Sequence, residues 1–338
     1  MISFGIDFHN VSELVLDPLT HAYQMLRFPG ALEPGISEQG QRMNRSSTGV
    51  ELRFVMLEEE VEVILRGHKE PGRAYLYFGS IQGEWHQSSF VILANQNTSI
   101  RIKRPLQRDA LRRMNQKRGS IYPFDLVRIV LDGSRVDFVG INGKVEAPKL
   151  NLSTYLSYGS SITSNSIVFV PELSFTGRLS QDLKMDHLNL GSSGSCEILP
   201  HISDYLSTIP FDFATFELGV NIISEVSVEE YHARVAYLLQ KVALSHMSSP
   251  IVVTDIFSYF NRLSGVTDAK VSAYRKALRD SCRPFPNVCY VPGNALLRER
   301  EFLCADFVHP DLKGHEIIYN RLKRIALRFC RERKEEVR

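Results

Sequence analysis

Two short segments of this 338-residue chain hold the residue types that acyl transfer through an alkoxide requires. Tyr158-Gly159-Ser160-Ser161-Ile162-Thr163 ends an apolar run, Leu152 to Leu156, and reads as a serine held at the tip of a strand. Asp306-Phe307-Val308-His309-Pro310 puts a carboxylate and an imidazole three residues apart near the C-terminus. A serine hydroxyl is a poor nucleophile at neutral pH and needs a base within hydrogen-bond reach. His309 can be that base, and Asp306 can accept its other ring N–H and fix the tautomer. Attack on an ester builds a negative oxygen, which needs donors already aimed at it. Gly194 offers a backbone N–H with no side chain in the way, Asn221 a side-chain amide, and Ser161 its own N–H.

These residues must be carried to one place by the elements around them. From about Lys149, apolar strands alternate with amphipathic helical stretches: strands at 152–158, 187–190, 213–219, 250–256 and 287–292, helices at 173–184, 195–206, 227–246, 267–281 and 311–333. The helix from Ser227 to His246 is the clearest, with Tyr231, Val235, Leu238, Leu239 and Val242 at helical spacing. Asp311 caps the last helix after Pro310. Such alternation predicts a parallel sheet with helices on both faces, and in such sheets chemistry gathers at the C-terminal strand ends. Ser161, the Gly191-Ser192-Ser193-Gly194 run, Asn221 and the Asp306–His309 pair all fall there.

The first ~150 residues read as all-β. Short runs at 60–65, 74–78, 89–93, 126–131 and 135–140, with turns at Asp132-Gly133 and Asn142-Gly143, predict a jelly-roll-like sandwich. Leu106 to Met114 reads as either a short helix or a long loop. Glu146-Ala147-Pro148-Lys149 is the expected join, giving a β-domain over 1–148 and a catalytic domain over 149–338.

At this level of detail the chain resembles the SGNH (GDSL-type) hydrolase superfamily. Tyr158 to Thr163 resembles its first sequence block, with Gly-Ser-Ser in place of Gly-Asp-Ser. Asn189-Leu190-Gly191-Ser192-Ser193-Gly194 resembles the second block, Glu217-Leu218-Gly219-Val220-Asn221 the third, and Asp306 to Pro310 the last. The resemblance implies a three-layer α/β/α domain with a five-stranded parallel sheet. It implies Ser161 as nucleophile, with His309 and Asp306 completing a triad, and Ser161, Gly194 and Asn221 as the oxyanion hole. Within the superfamily the chain is most similar to a bacterial branch with an N-terminal β-sandwich, associated with carbohydrate esterases and acyl-transferring relatives. It departs from the commoner pattern at Ser160 (usually aspartate), at Ile222 (often aspartate), and at Ser164-Asn165, where a glycine often follows. The last departure bears on the loop beside the nucleophile and so on substrate preference.

Composition narrows the alternatives. A net charge of +2 gives no global field for nucleic acid or an anionic membrane, and no apolar stretch has the length of a membrane span. The N-terminal residues lack a signal-peptide pattern, so a cytoplasmic location is expected. Cys196, Cys282, Cys289, Cys304 and Cys330 contain no CxxC pair and read as reduced thiols. Arg101 to Arg118 holds eight basic residues and one acid; without aromatics it reads as a solvated loop rather than a polyanion site. Trp85, the sole tryptophan, reads as a partly buried strand residue ahead of a sugar platform. His187 and His201 read as structural, and His315 as a packing or helix-surface residue. Asp255 either lines the pocket or caps the next segment, and Tyr259, Phe260 and Asn261 shape the acyl or leaving-group side.

The leading expectation is a serine esterase acting on a small acyl ester, an acetyl group on a sugar above all, with no metal or organic cofactor. An acyltransferase with the same triad is the alternative. A carbohydrate-binding protein with a vestigial hydrolase site is the third reading. The partner is a small-molecule or carbohydrate ester; homo-oligomerisation stays open.

Overall fold

The computed structural model describes residues 1–165, 168 and 170–336. The chain divides into two compact units: Met1–Ala31 with Asn44–Leu152, and Leu32–Met43 with Ser153–Arg338.

The first unit consists mainly of two antiparallel sheets. One runs Ile2–Ser3, Ile6–His9, Glu51–Met56, Leu126–Leu131, Gly72–Phe78, Ile81–Gln82, with Val145–Glu146 and Ser89–Ile92 as side pairs. The other runs Asn97–Lys103, Glu60–Gly67, Val136–Asn142, Tyr23–Leu26, Glu13–Leu16. Alternate residues of both sheets meet in one core: Phe8, Leu52, Phe54 and Ile129 from the first, Val63, Leu65, Ile100 and Phe138 from the second. The rings of Phe8 and Phe138 join the sheets edge to face, centroids 5.0 Å apart.

The basic stretch resolves differently from the expected loop. Arg101 and Lys103 lie in a strand, and Arg108–Lys117 is a helix. Five of the stretch's eight basic residues meet carboxylates: Arg101 meets Glu62, Lys103 meets Glu60, Arg104 and Arg108 share Glu59, and Arg112 meets Asp109 and Asp125. Trp85 is also a correction. It is 91% exposed, in the turn between Ile81–Gln82 and Ser89–Ile92, not partly buried in a strand.

The second unit holds a five-stranded parallel sheet in the order Asp186–Asn189, Thr154–Gly159, Phe213–Glu217, Ile251–Thr254, Val288–Val291. Helices Phe175–Leu183 and Leu312–Glu336 bury Phe175, Leu179, Ile318 and Leu322 against Tyr155, Phe213 and Val252 on one face. Helices Pro200–Leu206, Val228–Ser245 and Asp268–Cys282 pack in series on the other, with Tyr231 stacked on Tyr274 at 4.0 Å. Ser227 and Thr267 cap the two long helices by accepting from the N–H groups of Glu230 and Lys270. One expected helix is shorter than its apolar pattern suggests: it starts at Pro200, not at 195. Ile198 is left-handed (φ +55°), and Leu199 before proline is extended. No helix among the described residues is long and apolar enough to cross a membrane.

Candidate active site

The strand Thr154–Gly159 ends in a one-turn helix, Ser161–Ser164, capped by Ser160, whose hydroxyl accepts from the N–H of Ile162 at 3.2 Å. Ser161 is thus the first helical residue, and its N–H has no acceptor within the helix. Its Oγ lies 2.6 Å from His309 Nε2, and His309 Nδ1 lies 2.8 Å from Asp306 Oδ2. The other oxygen of Asp306 accepts from the N–H groups of Val308 and His309 at 2.9 and 3.0 Å. Burial alone would raise the Asp306 pKa. The two N–H groups and the imidazole outweigh it and hold the carboxyl below its ordinary range. Between the two residues Phe307 takes a left-handed backbone (φ +62°), which turns the chain so that one carboxylate meets both the loop and the ring.

The loop after Asp186–Asn189 lies against this turn. The N–H of Ser192 donates to Gly159 O at 2.8 Å, and a Cβ on Gly191 would sit 2.4 Å from Ser164 N, so the close approach excludes a side chain. Asn189 spans both segments, its Oδ1 accepting from Gly191 N and its Nδ2 donating to Thr163 O, each at 2.9 Å. Gly194 is exposed and left-handed at φ +69°. Asn221 accepts from Cys196 N through Oδ1 at 3.1 Å, which ties the third block to the Gly194 loop and leaves Nδ2 as its donor end. Gly219, φ +119°, makes the turn that brings Asn221 there.

Two residues that carry no expected role in the sequence belong to this surround. Glu217, at the end of its strand and 2% exposed, accepts on Oε2 from Ser160 N (2.9 Å), Ser160 Oγ (2.5 Å) and Thr163 Oγ1 (3.2 Å). Burial pushes its pKa up to about 7 against those donors. Gln39, from the segment 32–43, donates from Nε2 to Ser193 O at 2.9 Å, with its Cγ 3.6 Å from where a Cβ on Gly194 would stand. Nothing in the sequence marks Gln39. Glu217 opens the third sequence block, which is the one signal that could have drawn attention to it.

The remaining candidates separate. Asp255 is 1% exposed, bound to Gly293 N at 2.7 Å, to Tyr290 Oη and to Arg275 at 3.3 Å, so it is sealed within the fold at the start of the short helix Gly293–Leu296, on partners distant in sequence from the segment that follows it. His315 is a packing residue. It stacks on Phe175 and accepts from Phe175 N at 3.4 Å, and burial takes its pKa down to about 4. His187 stacks on Tyr155 and meets Ser157 Oγ at 2.8 Å, on the strand pair rather than at the site. Tyr259 and Asn261 are buried, Asn261 holding its loop through Val266 O and Asp268. Phe260 stays accessible, edge-to-face with Phe307 at 5.1 Å beside the Asp306–His309 loop.

Ser161, His309 and Asp306 thus lie within hydrogen-bond reach of one another at the C-terminal ends of the strands of a 2-1-3-4-5 parallel sheet, where α/β folds gather their chemistry. Residues 154–316, most of the second unit, match the model of the GDSL-like lipase/acylhydrolase family. The chain is accordingly a carboxylic-ester hydrolase of the GDSL type. Among curated proteins, none matches the sequence. Solved structures match its fold. The salicylyl-acyltransferase SsfX3 from a tetracycline biosynthetic pathway aligns with TM-score 0.76 at 15% identity, over 96% of this chain and 95% of its own. A family two carbohydrate esterase from Cellvibrio japonicus aligns at 0.61 and 11%, over 97% and 96%. An acetyl xylan esterase, Est2A, from the rumen bacterium Butyrivibrio proteoclasticus aligns at 0.50 and 12%, over 83% and 90%.

Proposed function

We propose that the protein is a serine esterase that removes small acyl groups, acetyl first among them, from carbohydrate esters. The observation that carries this reading is the unbroken relay from Ser161 Oγ to His309 at 2.6 Å and from His309 to Asp306 at 2.8 Å. In this mechanism His309 Nε2 takes the Ser161 proton as Oγ bonds to the acyl carbon. Asp306 holds the Nδ1–H tautomer and balances the imidazolium. Its depressed pKa keeps it ionised for that task. The new oxyanion is met by the N–H groups of Ser161 and Gly194 and by Asn221 Nδ2. His309 then returns the proton to the leaving alcohol, and a water repeats the sequence on the acyl-enzyme. Phe260 and Phe307 offer an apolar edge for a sugar ring face or acyl chain. The carbohydrate preference is drawn from the esterases that share the fold.

A second reading keeps the residues and changes the acceptor to an alcohol. The fit to the salicylyl-acyltransferase, at a higher TM-score than either esterase, is what favours it. One experiment addresses both. Wild type and Ser161→Ala, each checked for folding, are assayed on p-nitrophenyl acetate and on acetylated xylan oligosaccharides, with and without a competing alcohol. Ser161→Ala should lower kcat by three orders of magnitude or more, on the order seen when a triad nucleophile is removed. Equal trace rates for the two proteins would sink the esterase reading. Transfer to the alcohol in preference to water would move the assignment to the second.

A further inference from the structure

The carboxyl of Glu217 has no part in the proton relay, yet it grips the chain on both sides of the nucleophile. Three donors converge on one oxygen: the N–H and hydroxyl of Ser160, immediately before Ser161, and the hydroxyl of Thr163, two residues after it. The second oxygen, Oε1, is buried and has no hydrogen-bond partner. A buried, half-satisfied carboxyl is a costly way to hold a strand end, where an apolar side chain would do better. Its retention is explained if the three bonds fix something that matters more than stability. They do fix one thing, the start of the one-turn helix whose first residue is Ser161. The space around them is tight, since a Cβ on Gly159 would stand 2.4 Å from Thr163 Oγ1 and 2.8 Å from Glu217 O.

We propose that Glu217 is a positioning residue for the reaction, a clamp on Ser160 and Thr163 that sets the direction of Ser161 Oγ toward His309. The inference rests on the esterase reading of the same site. A clamp of this kind acts on the chemical step and leaves ground-state binding alone, so its loss is read in kcat and not in KM. The groups facing it are Ser160 and Thr163 from the nucleophile turn, Thr254 across the neighbouring strand and Cys196 from the Gly194 loop, whose thiol is kept protonated by burial and by Glu217 together. With its own pKa lifted to about 7, Glu217 holds the turn partly as the neutral acid at neutral pH. An amide can imitate that form, accepting through its oxygen with its nitrogen in the place of Oε1.

The test compares wild type, Ser161→Ala, Glu217→Gln, Glu217→Ala, Ser160→Ala and the double variant Glu217→Ala/Ser160→Ala on p-nitrophenyl acetate. Melting curves and the rate of Ser161 labelling by a phosphonate ester accompany each. Glu217→Ala should lose about 100-fold in kcat, the size expected when a nucleophile is misplaced by about 1 Å, with KM within threefold. Glu217→Gln should keep kcat within threefold near pH 6.5. Ser160→Ala should cost less in the Glu217→Ala background than in wild type, because the bond the two side chains share is then already gone. A folded Glu217→Ala with wild-type kcat and labelling rate overturns the clamp. If Glu217→Ala does not fold, a Glu217→Gln that binds as wild type but is as dead as Ser161→Ala does the same. Should wild type and Ser161→Ala be equally slow, the esterase reading itself has failed, an outcome separate from all of these.

Discussion

At the residue scale, the site sets two carboxyl groups against each other. Asp306 is partly open to solvent, takes two backbone N–H bonds and an imidazole, and stays ionised. Glu217 is sealed from water and shifts the other way. Environment alone drives them apart, one to a fixed negative charge beside His309, the other to a group that changes state near neutrality. Because the folded-state pKa of Glu217, about 7, lies above the ordinary 4.5, the folded protein holds this proton more tightly than the unfolded chain does between those pH values. Stability contributed by the group is therefore full below about pH 4.5 and falls as pH rises through 7, by on the order of 3 kcal/mol in all. Glu217→Gln cannot titrate. The difference in unfolding free energy between wild type and this variant should shrink steadily from pH 5 to pH 8 in urea titrations. A flat difference would mean that the carboxyl is not desolvated as described. That Ser161, His309 and Asp306 come together was legible in the sequence because their chain order and spacing carry a pattern. Glu217 was not, since a glutamate closing a strand reads as solvent-facing until three donors from another segment are folded onto it.

At the element scale, the inner strands Phe213–Glu217 and Ile251–Thr254 were readable because they are buried throughout and stand out as apolar runs between amphipathic helices, whereas the edge strands Asp186–Asn189 and Val288–Val291 are mostly half-buried. The first unit was harder. Glu51–Met56 went unread, because Glu51 and Arg53 interrupt it with what looks like a solvent face, yet both are buried. Arg128 grips Glu51 with Nε at 2.8 Å and Nη2 at 2.6 Å, Arg53 Nε adds a third contact at 2.8 Å, and the Arg128 guanidinium lies 4.0 Å over the Tyr122 ring. Burial pushes the Glu51 pKa up, but the two guanidinium groups pull it far below the usual range, so the triad stays charged through ordinary acid conditions. Removing the central charge takes the shared carboxylate from two buried cations. Glu51→Gln should cost about 3–5 kcal/mol in the unfolding transition of the first unit, followed by tryptophan-independent far-UV dichroism in urea. A variant that unfolds at the wild-type midpoint would show that the guanidinium groups are solvated after all.

At the scale of the whole molecule, the consequential fact is that the catalytic unit is not one stretch of chain. Leu32–Met43 leaves the β-unit, packs as part of the second unit and returns. Composition gave no warning, because a twelve-residue excursion between two halves of a β-domain looks like any long loop until its contacts are known. Through it Gln39 reaches Ser193 O, one residue from the proposed oxyanion donor Gly194. Gly194 sits at φ +69°, and the loop that carries it is also held by Ser192 N on Gly159 O, by Asn189 and by Cys196 N on Asn221. An oxyanion donor is useful in proportion to how little it must reorganise, and losing one such donor costs about 10²–10³ in kcat. Loosening its loop should cost part of that. Gln39→Ala in the full chain should therefore lower kcat on p-nitrophenyl acetate about tenfold with little change in melting temperature. A fragment beginning at Lys149, which contains every residue of the proposed triad, should be both less stable and slower than Gln39→Ala. Should the fragment match the full chain in kcat and melting temperature, the excursion is an ornament and the catalytic unit is complete without it. Should Gln39→Ala alone match wild type while the fragment fails, the segment matters for packing and not for the geometry of the Gly194 loop.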